Sequence, residues 1–261
     1  MDNDSNDITS QSIGVRDLRA SGWFDRASHR LAPDVFITPN MKVVDVGCGG
    51  GQYSKFCARN GADVTAIDVQ EDKISELESN SEVFEVGSIR GITSDCSPVP
   101  LPDGYAEMII CTEVLEHVES PGDVLAELTR VAKPGCLFLI SVPDGRSEKL
   151  IDEVAPPDYF QKPNHIRRFS KSEFTELIRK SGLAVERQDG IGAFWSLYLL
   201  LRYATFQPGE ELIDDSHPLT TAWVKTWTEV MKLPQSDKIM RAMNDALPRT
   251  QVIVARKLDA N

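Results

Sequence analysis

Basic charge is scarce in this chain. It carries 28 Lys and Arg against 40 Asp and Glu, a formal net charge of −12 at pH 7, so it lacks the positive surface that displaces counterions from a phosphate backbone. Nucleic acid is not an expected partner. A disulfide framework is missing too. The five cysteines are odd in number, form no C-x-x-C pair and lie in apolar or glycine-rich runs, a usage that fits a reduced compartment, so a cytoplasmic location is expected. Met1 to Ser12 is polar and acidic, without the basic start and apolar stretch of a secretory signal. The most apolar segment, Ile191 to Phe206, is sixteen residues long and contains Arg202, short of the ~20 that cross a bilayer. What remains, 41% hydrophobic and 26% charged residues, is the composition of a globular protein with one large core.

Along the chain, residues 1–20 are rich in Asp, Asn and Ser and read as a disordered tail. Trp23, Phe24 and Leu31 mark an amphipathic segment. Lys42 to Val46 reads as a buried strand stopping at glycines, Tyr53 to Arg59 as a helix closed by Asn60-Gly61, and Val64 to Ile67 as a second strand. Strand, helix, strand implies a right-handed parallel crossover. The alternation continues with a helix over Glu71 to Ser79, a strand near Val83 to Val86 or Gly91 to Ser94, a strand over Met108 to Cys111, a helix over Asp123 to Ala132 and a strand over Leu137 to Val142. A long loop, Pro143 to Phe169, precedes a helix over Lys171 to Lys180 with a capping box at Ser170 and Glu173, then a strand over Leu183 to Arg187. The last strand is Gln251 to Arg256. The expected organisation is a core with an N-terminal helix over 21–189, a helical insertion over 190–248, and a final core strand within 249–261.

Two motifs point to a ligand at the strand ends. Asp45-Val46-Gly47-Cys48-Gly49-Gly50-Gly51 follows a strand and precedes a helix, where glycines permit positive φ and close approach of backbone to ligand. Gln52 stands where a dinucleotide fingerprint needs its last glycine, and Asp45 would repel a pyrophosphate but attract an ammonium group. Asp68 closes the next strand, 21 positions after Gly47, and a carboxylate there can accept hydrogen bonds from both hydroxyls of a ribose.

With these residues the sequence resembles the class I S-adenosylmethionine-dependent methyltransferases, in the branch of the ubiquinone-biosynthesis O-methyltransferases and bacterial small-molecule enzymes. The resemblance lies in VVDVGCGGG (Val43 to Gly51), AIDV (Ala66 to Val69), SDCSPVPLPDGYAEMIICTEVLEHV (Ser94 to Val118) and RVAKPGCLFLISVP (Arg130 to Pro143), continued by HIRRFSKSEFTELIRKSGL (His165 to Leu183). It implies an α/β fold, a seven-stranded Rossmann-like sheet with an N-terminal helical segment over the cofactor and a helical lid before the last strand. It implies S-adenosylmethionine as cofactor. The methionine part would be held by Asp45, Gly47, Cys48, Gly49 and Gly51, with Thr112 nearby, and the ribose by Asp68 with Val69 beside the adenine. Asp95 and the Cys96 backbone N–H would meet the adenine edge. A competing register at Val86-Gly87-Ser88 lacks the carboxylate.

Glu113, Glu116 and His117 follow the strand over Met108 to Cys111 at spacing i, i+3, i+4, one face of a helix. They can simply open that helix. His117 can also serve as a general base, since imidazole titrates near neutrality. The expectation is His117 as base and no metal; the alternative is a divalent ion held by Glu113, Glu116, His117 and His165, an arrangement similar to the metal site of small-RNA 2′-O-methyltransferases. His165 otherwise anchors its loop or contacts the acceptor. The insertion brings Trp195, Tyr198 and neighbouring Leu residues, then Trp223 and Trp227, as core, as an apolar acceptor wall, or as a shallow contact with a membrane surface. The expected reaction is methyl transfer to an oxygen of a small, partly apolar acceptor. A metal-dependent RNA 2′-O-methyltransferase and a non-catalytic cofactor-binding partner subunit are the alternatives.

Overall fold

The computed structural model describes residues 9–79, 86–157, 159–162, 164–206 and 210–258. It opens with α1 (Ser10–Ala20) and a short antiparallel hairpin of β1 (Arg30–Ala32) and β2 (Val35–Phe36). The alternating core follows: β3 (Lys42–Val46), α2 (Gln52–Arg59), β4 (Asp63–Asp68), α3 (Glu71–Ser79), β5 (Ser88–Thr93), β6 (Ala106–Thr112), α4 (Pro121–Val131) and β7 (Ala132–Pro143). After β7 come α5 (Gly145–Asp152), α6 (Lys171–Lys180) and β8 (Leu183–Ile191). Three helices, α7 (Ala193–Thr205), α8 (Pro218–Met231) and α9 (Ser236–Ala246), then precede β9 (Thr250–Lys257).

Seven strands form one sheet in the order β5-β4-β3-β6-β7-β9-β8. Its first five members run parallel, as apolar strands joined by crossover helices must, and β9 runs antiparallel to both neighbours. Chain order runs outward from β3 to β5, then returns to place β6 on the other side of β3. The resulting switch point, where Val46 lies beside Cys111, opens a crevice at the carboxyl ends of the strands. β3 and β6 are buried on both faces, and each large apolar side chain removed from water there contributes roughly 1.5–3 kcal/mol.

A separate core joins Ile13 of α1 and Ile151 of α5 to Phe194, Tyr198, Val224 and Trp227 of the inserted helices. The chain reaches it because β8 ends at Ile191 opposite Thr250, where β9 begins. The described residues between those two start and finish at the carboxyl ends of the parallel strands. Among the described residues no helix is long and apolar enough to cross a membrane.

Three local expectations are corrected. The tail read over residues 1–20 is helical from Ser10 to Ala20, with Thr9 as N-cap; Ile13 and Asp17 are buried, so tertiary packing supplies the order that local composition does not. Residues 1–8 lie outside the described residues. The long loop over Pro143 to Phe169 contains α5, whose N-cap is Asp144. Glu113, Glu116 and His117 do not share a helix: 113 is a bend, residues 115–117 form a turn, and α4 begins only at Pro121. As for the two placements considered for the third strand, β5 overlaps the later one, while 83–85 of the earlier lie outside the described residues.

Candidate active site

The crevice at the switch point holds a cavity of about 620 Å³. Its floor is the glycine turn after β3. Gly47, Gly49 and Gly51 all adopt positive φ, and a Cβ built on Gly47 would lie 2.3 Å from Val114, whereas one built on Gly49 would meet no atom within 4 Å. Gly47 therefore serves packing, and Gly49 keeps ligand space open. Asp68 locks the turn: one carboxylate oxygen accepts from the Gly49 N–H at 2.9 Å and the other from the Gln70 N–H at 2.9 Å. Next to it Val69 is 66% exposed, a large apolar side chain left uncovered at the cavity edge where a flat base can stack.

Of the residues expected to hold the cofactor, Gly47, Gly49, Asp68, Val69, Asp95 and Cys96 line this cavity. Asp45, Cys48, Gly51 and Thr112 are not among its lining residues. Asp45 is 1% exposed and accepts from Ser54 Oγ at 2.6 Å, and burial pushes its carboxyl up to about 7. Cys48 packs with Ala66, Ile74 and Leu77. The two adenine registers are now distinguishable. Asp68 pairs with Thr93, which carries Asp95 and Cys96 to the cavity, whereas Ser88 lies at the other end of β5, bonded to Asp63. The Cys96 N–H donates to Ser94 Oγ at 3.0 Å, so an adenine nitrogen would share or replace that partner.

A second cavity of about 400 Å³ adjoins the first. Tyr159, Leu199, Tyr203, Phe206 and Leu212 give it apolar walls, and His117, His165 and Arg249 give it polar ones. Trp195 and Tyr198, the side chains expected to form an acceptor wall, line neither cavity. Tyr198 is fully buried with its hydroxyl on Asp215 at 3.0 Å, and Trp195 abuts Gly14 of α1. They are core of the inserted region.

A charged cluster lies beside the two cavities, with Glu116 and Glu148 buried and Glu113 exposed on the wall of the first. Glu113, at φ +56, accepts from Ser141 Oγ at 2.8 Å. Glu148 of α5 is 1% exposed; it accepts from His165 Nδ1 at 2.8 Å and Tyr159 Oη at 3.0 Å, and pairs with Arg249. Burial alone would raise the Glu148 carboxyl, but the His165 hydrogen bond and the Arg249 charge hold it below its ordinary value. Glu116 is the opposite case. It is fully buried, neither oxygen has a hydrogen-bond partner, and burial together with Glu113 pushes it well up. Its carboxylate lies within 4.8 Å of ring nitrogens of His117 and His165, a mixed oxygen and nitrogen donor set that suits a divalent ion. Glu113 is not part of that group, because its carboxyl is turned onto Ser141. Glu148, Arg249 and Tyr159 were not anticipated from sequence. Asp144 as an N-cap was a usable signal for α5; Arg249 had none.

A model of the family described as "Methyltransferase domain" matches residues 17–188. The chain is 32% identical over 158 residues to the ubiquinone biosynthesis O-methyltransferase of Methylococcus capsulatus, covering 58% of this chain and 66% of that one. It is 32% identical over 190 residues to the protein of the same name from Pseudomonas fluorescens, covering 64% and 80%. A solved SAM-dependent methyltransferase from Methanosarcina mazei shares the fold at a TM-score of 0.57 and 15% identity, covering 86% of this chain and 95% of that one.

Proposed function

Since the chain belongs to the methyltransferase domain family and is an S-adenosylmethionine-dependent methyltransferase, we propose that it methylates an oxygen of a small, partly apolar acceptor bound in the 400 Å³ cavity, with His117 as the general base. One observation carries this reading. Among the described residues, His117 alone lines both the cofactor cavity and the second cavity, so it stands where a methyl donor and its acceptor would meet. The O-methyltransferase names of the relatives support oxygen as the atom methylated.

The residues present fit the cofactor: a turn whose Gly49 keeps ligand space clear, a carboxylate at a ribose's place and an uncovered Val69 beside it. Once bound, S-adenosylmethionine supplies an electrophilic methyl group on a sulfonium sulfur. The protein's work is positioning, with the acceptor oxygen held in line with that methyl. The His117 Nδ1 lies 3.1 Å from the Asn164 carbonyl and must donate to it, which puts the basic lone pair on Nε2. Nε2 takes the proton that a hydroxyl acceptor loses.

Incubation with methyl-labelled S-adenosylmethionine and a panel of phenols and aliphatic alcohols tests the reading, with labelled ether product expected. Label appearing only on amines or thiols would overturn the oxygen assignment.

Glu116, buried with no hydrogen-bond partner on either carboxylate oxygen, favours a second reading, in which Glu116, His117 and His165 would hold a divalent cation that would lower the pKa of an acceptor hydroxyl. Full activity in excess EDTA, with metal analysis showing empty protein, would eliminate it.

A further inference from the structure

The methyl-transfer reading assigns nothing to Glu148, yet this carboxylate is the most heavily connected polar group behind the acceptor cavity. Its side chain is 1% exposed on α5 and meets three partners, two from the segment that follows α5 and one about a hundred positions on: His165 Nδ1 at 2.8 Å, Tyr159 Oη at 3.0 Å and the Arg249 guanidinium. Each partner also lines the cavity. An ionised carboxylate only accepts hydrogen bonds, so the imidazole nitrogen facing it must carry hydrogen. In neutral His165 the lone pair is then on Nε2, across the ring, on a side chain that borders the cavity and lies 5.0 Å from the His117 ring. Without such a partner a neutral histidine side chain in water favours the opposite tautomer, with hydrogen on Nε2.

We propose that Glu148 is a positioning residue of the acceptor site, which sets the His165 tautomer so that Nε2 accepts a hydrogen bond from an O–H or N–H of the acceptor. The inference rests on the cavity being the acceptor site. It deepens that reading by a requirement on the substrate, which must present a donor group to His165. His165 and His117 then address the acceptor in the same way, each with Nδ1 tied back to the protein, His165 through Glu148 and His117 through the Asn164 carbonyl. Arg249 is what makes a buried Glu148 sustainable. It supplies the opposite charge without which an isolated carboxylate in such a site would be neutral, and it ties the first residues beyond α9 to α5 across the cavity.

The test uses ¹⁵N-histidine-labelled full-length protein saturated with S-adenosylhomocysteine, in which long-range proton–nitrogen spectra distinguish the two tautomers. The chain has only four histidines, and loss of one signal set in His165→Gln assigns the residue. Wild type is expected to show hydrogen on Nδ1 of His165. Glu148→Gln keeps the volume but brings an amide that can offer its own donor to that nitrogen; it should shift His165 to the Nε2–H form and lower transfer to a phenolic probe at least ten-fold, with S-adenosylhomocysteine affinity by calorimetry unchanged within two-fold. Glu148→Asp should restore part of the Nδ1–H population. Wild-type His165 found as the Nε2–H form, or an unchanged tautomer and unchanged transfer in a folded Glu148→Gln, would overturn the proposal. Failure of the wild type to bind S-adenosylhomocysteine would instead defeat the methyltransferase reading, so the two failures are distinguishable.

Discussion

The cofactor side and the acceptor side of this molecule are built by different means. On the cofactor side, Gly47, Gly49, Asp68, Val69, Asp95 and Cys96 lie within fifty residues of one another, each at or just past the end of a parallel strand. Backbone conformation does most of the work there: a positive φ at Gly49, and one carboxylate that clamps the turn. On the acceptor side, His117, Glu148, His165, Leu199 and Arg249 come from five separated segments, held by side-chain bonds that span up to 101 positions. The lesson is that a site made of strand ends is already encoded by its strands, whereas a site made of side chains needs the whole fold before it exists.

The largest expected effect separates the two sides. Gly49→Val places a branched side chain in space that no protein atom fills and that the cofactor is proposed to occupy. Cofactor affinity should fall by about 100-fold or more, about 2.7 kcal/mol, while the positive φ costs the fold only about 1–2 kcal/mol. Calorimetry with S-adenosylhomocysteine beside a urea melt reads both. Retained affinity in a folded Gly49→Val protein would mean that the cavity is not the cofactor site.

Asp68→Ala should come next. It removes the acceptor of the Gly49 N–H as well as the expected ribose partner, and hydrogen bonds to a charged group contribute roughly 1.5–3 kcal/mol. A loss confined to stability, with affinity intact, would assign Asp68 to the turn alone.

The third effect lies wholly on the acceptor side and divides it. Trp195→Ala opens space against Gly14 of α1 and should cost about 2 kcal/mol of stability, less than the roughly 3–5 of a fully buried Trp because this side chain is only half-buried, without changing the acceptor KM. Leu212→Ala, at a side chain 37% exposed on the cavity wall, should do the reverse, raising the acceptor KM several-fold at nearly constant melting temperature. If Trp195→Ala instead changed KM, the wall would extend farther into the lid than its lining residues indicate.

Legibility in the sequence follows the same division. The helices over Glu71–Ser79 and Lys171–Lys180 could be read to the residue, because apolar periodicity and a capping box are local signals. The glycine turn and Asp68 were equally plain. Glu113, Glu116 and His117 misled, since the same spacing suits a helix, whereas Glu113 takes φ +56 and the chain turns instead. Trp195 and Tyr198 stayed open between core and acceptor wall for a different reason: an aromatic residue looks alike in a core and in a pocket wall, and only α1 packing on α7 and α8 decides between them. α1 itself was hidden because its order comes from Ile13 and Asp17 meeting residues about two hundred positions away.

That distant contact supplies the smallest effect and the sharpest pH signature. Asp17 is 1% exposed and accepts from Trp227 Nε1 at 3.0 Å, and burial, partly offset by this bond, pushes its carboxyl up to about 6. In the unfolded chain it titrates near ~3.9. Between these values the folded protein holds the proton and the unfolded chain does not, so stability falls as pH rises from about 4 to about 6 and then levels off, a loss of roughly 2 kcal/mol. Asp17→Asn keeps an oxygen for Trp227 and has no proton to lose. Relative to wild type it should therefore gain roughly 2 kcal/mol between pH 4.5 and pH 7.5, since the other carboxyls titrate alike in both proteins and cancel. Urea midpoints at the two pH values measure the difference. Affinity for S-adenosylhomocysteine should stay equal in the two proteins at each pH, because Asp17 joins α1 to α8 and touches nothing on the cofactor side. Parallel stability curves would show that the Asp17 carboxyl is ionised at little cost, and that α1 is held to the inserted helices by apolar contacts alone.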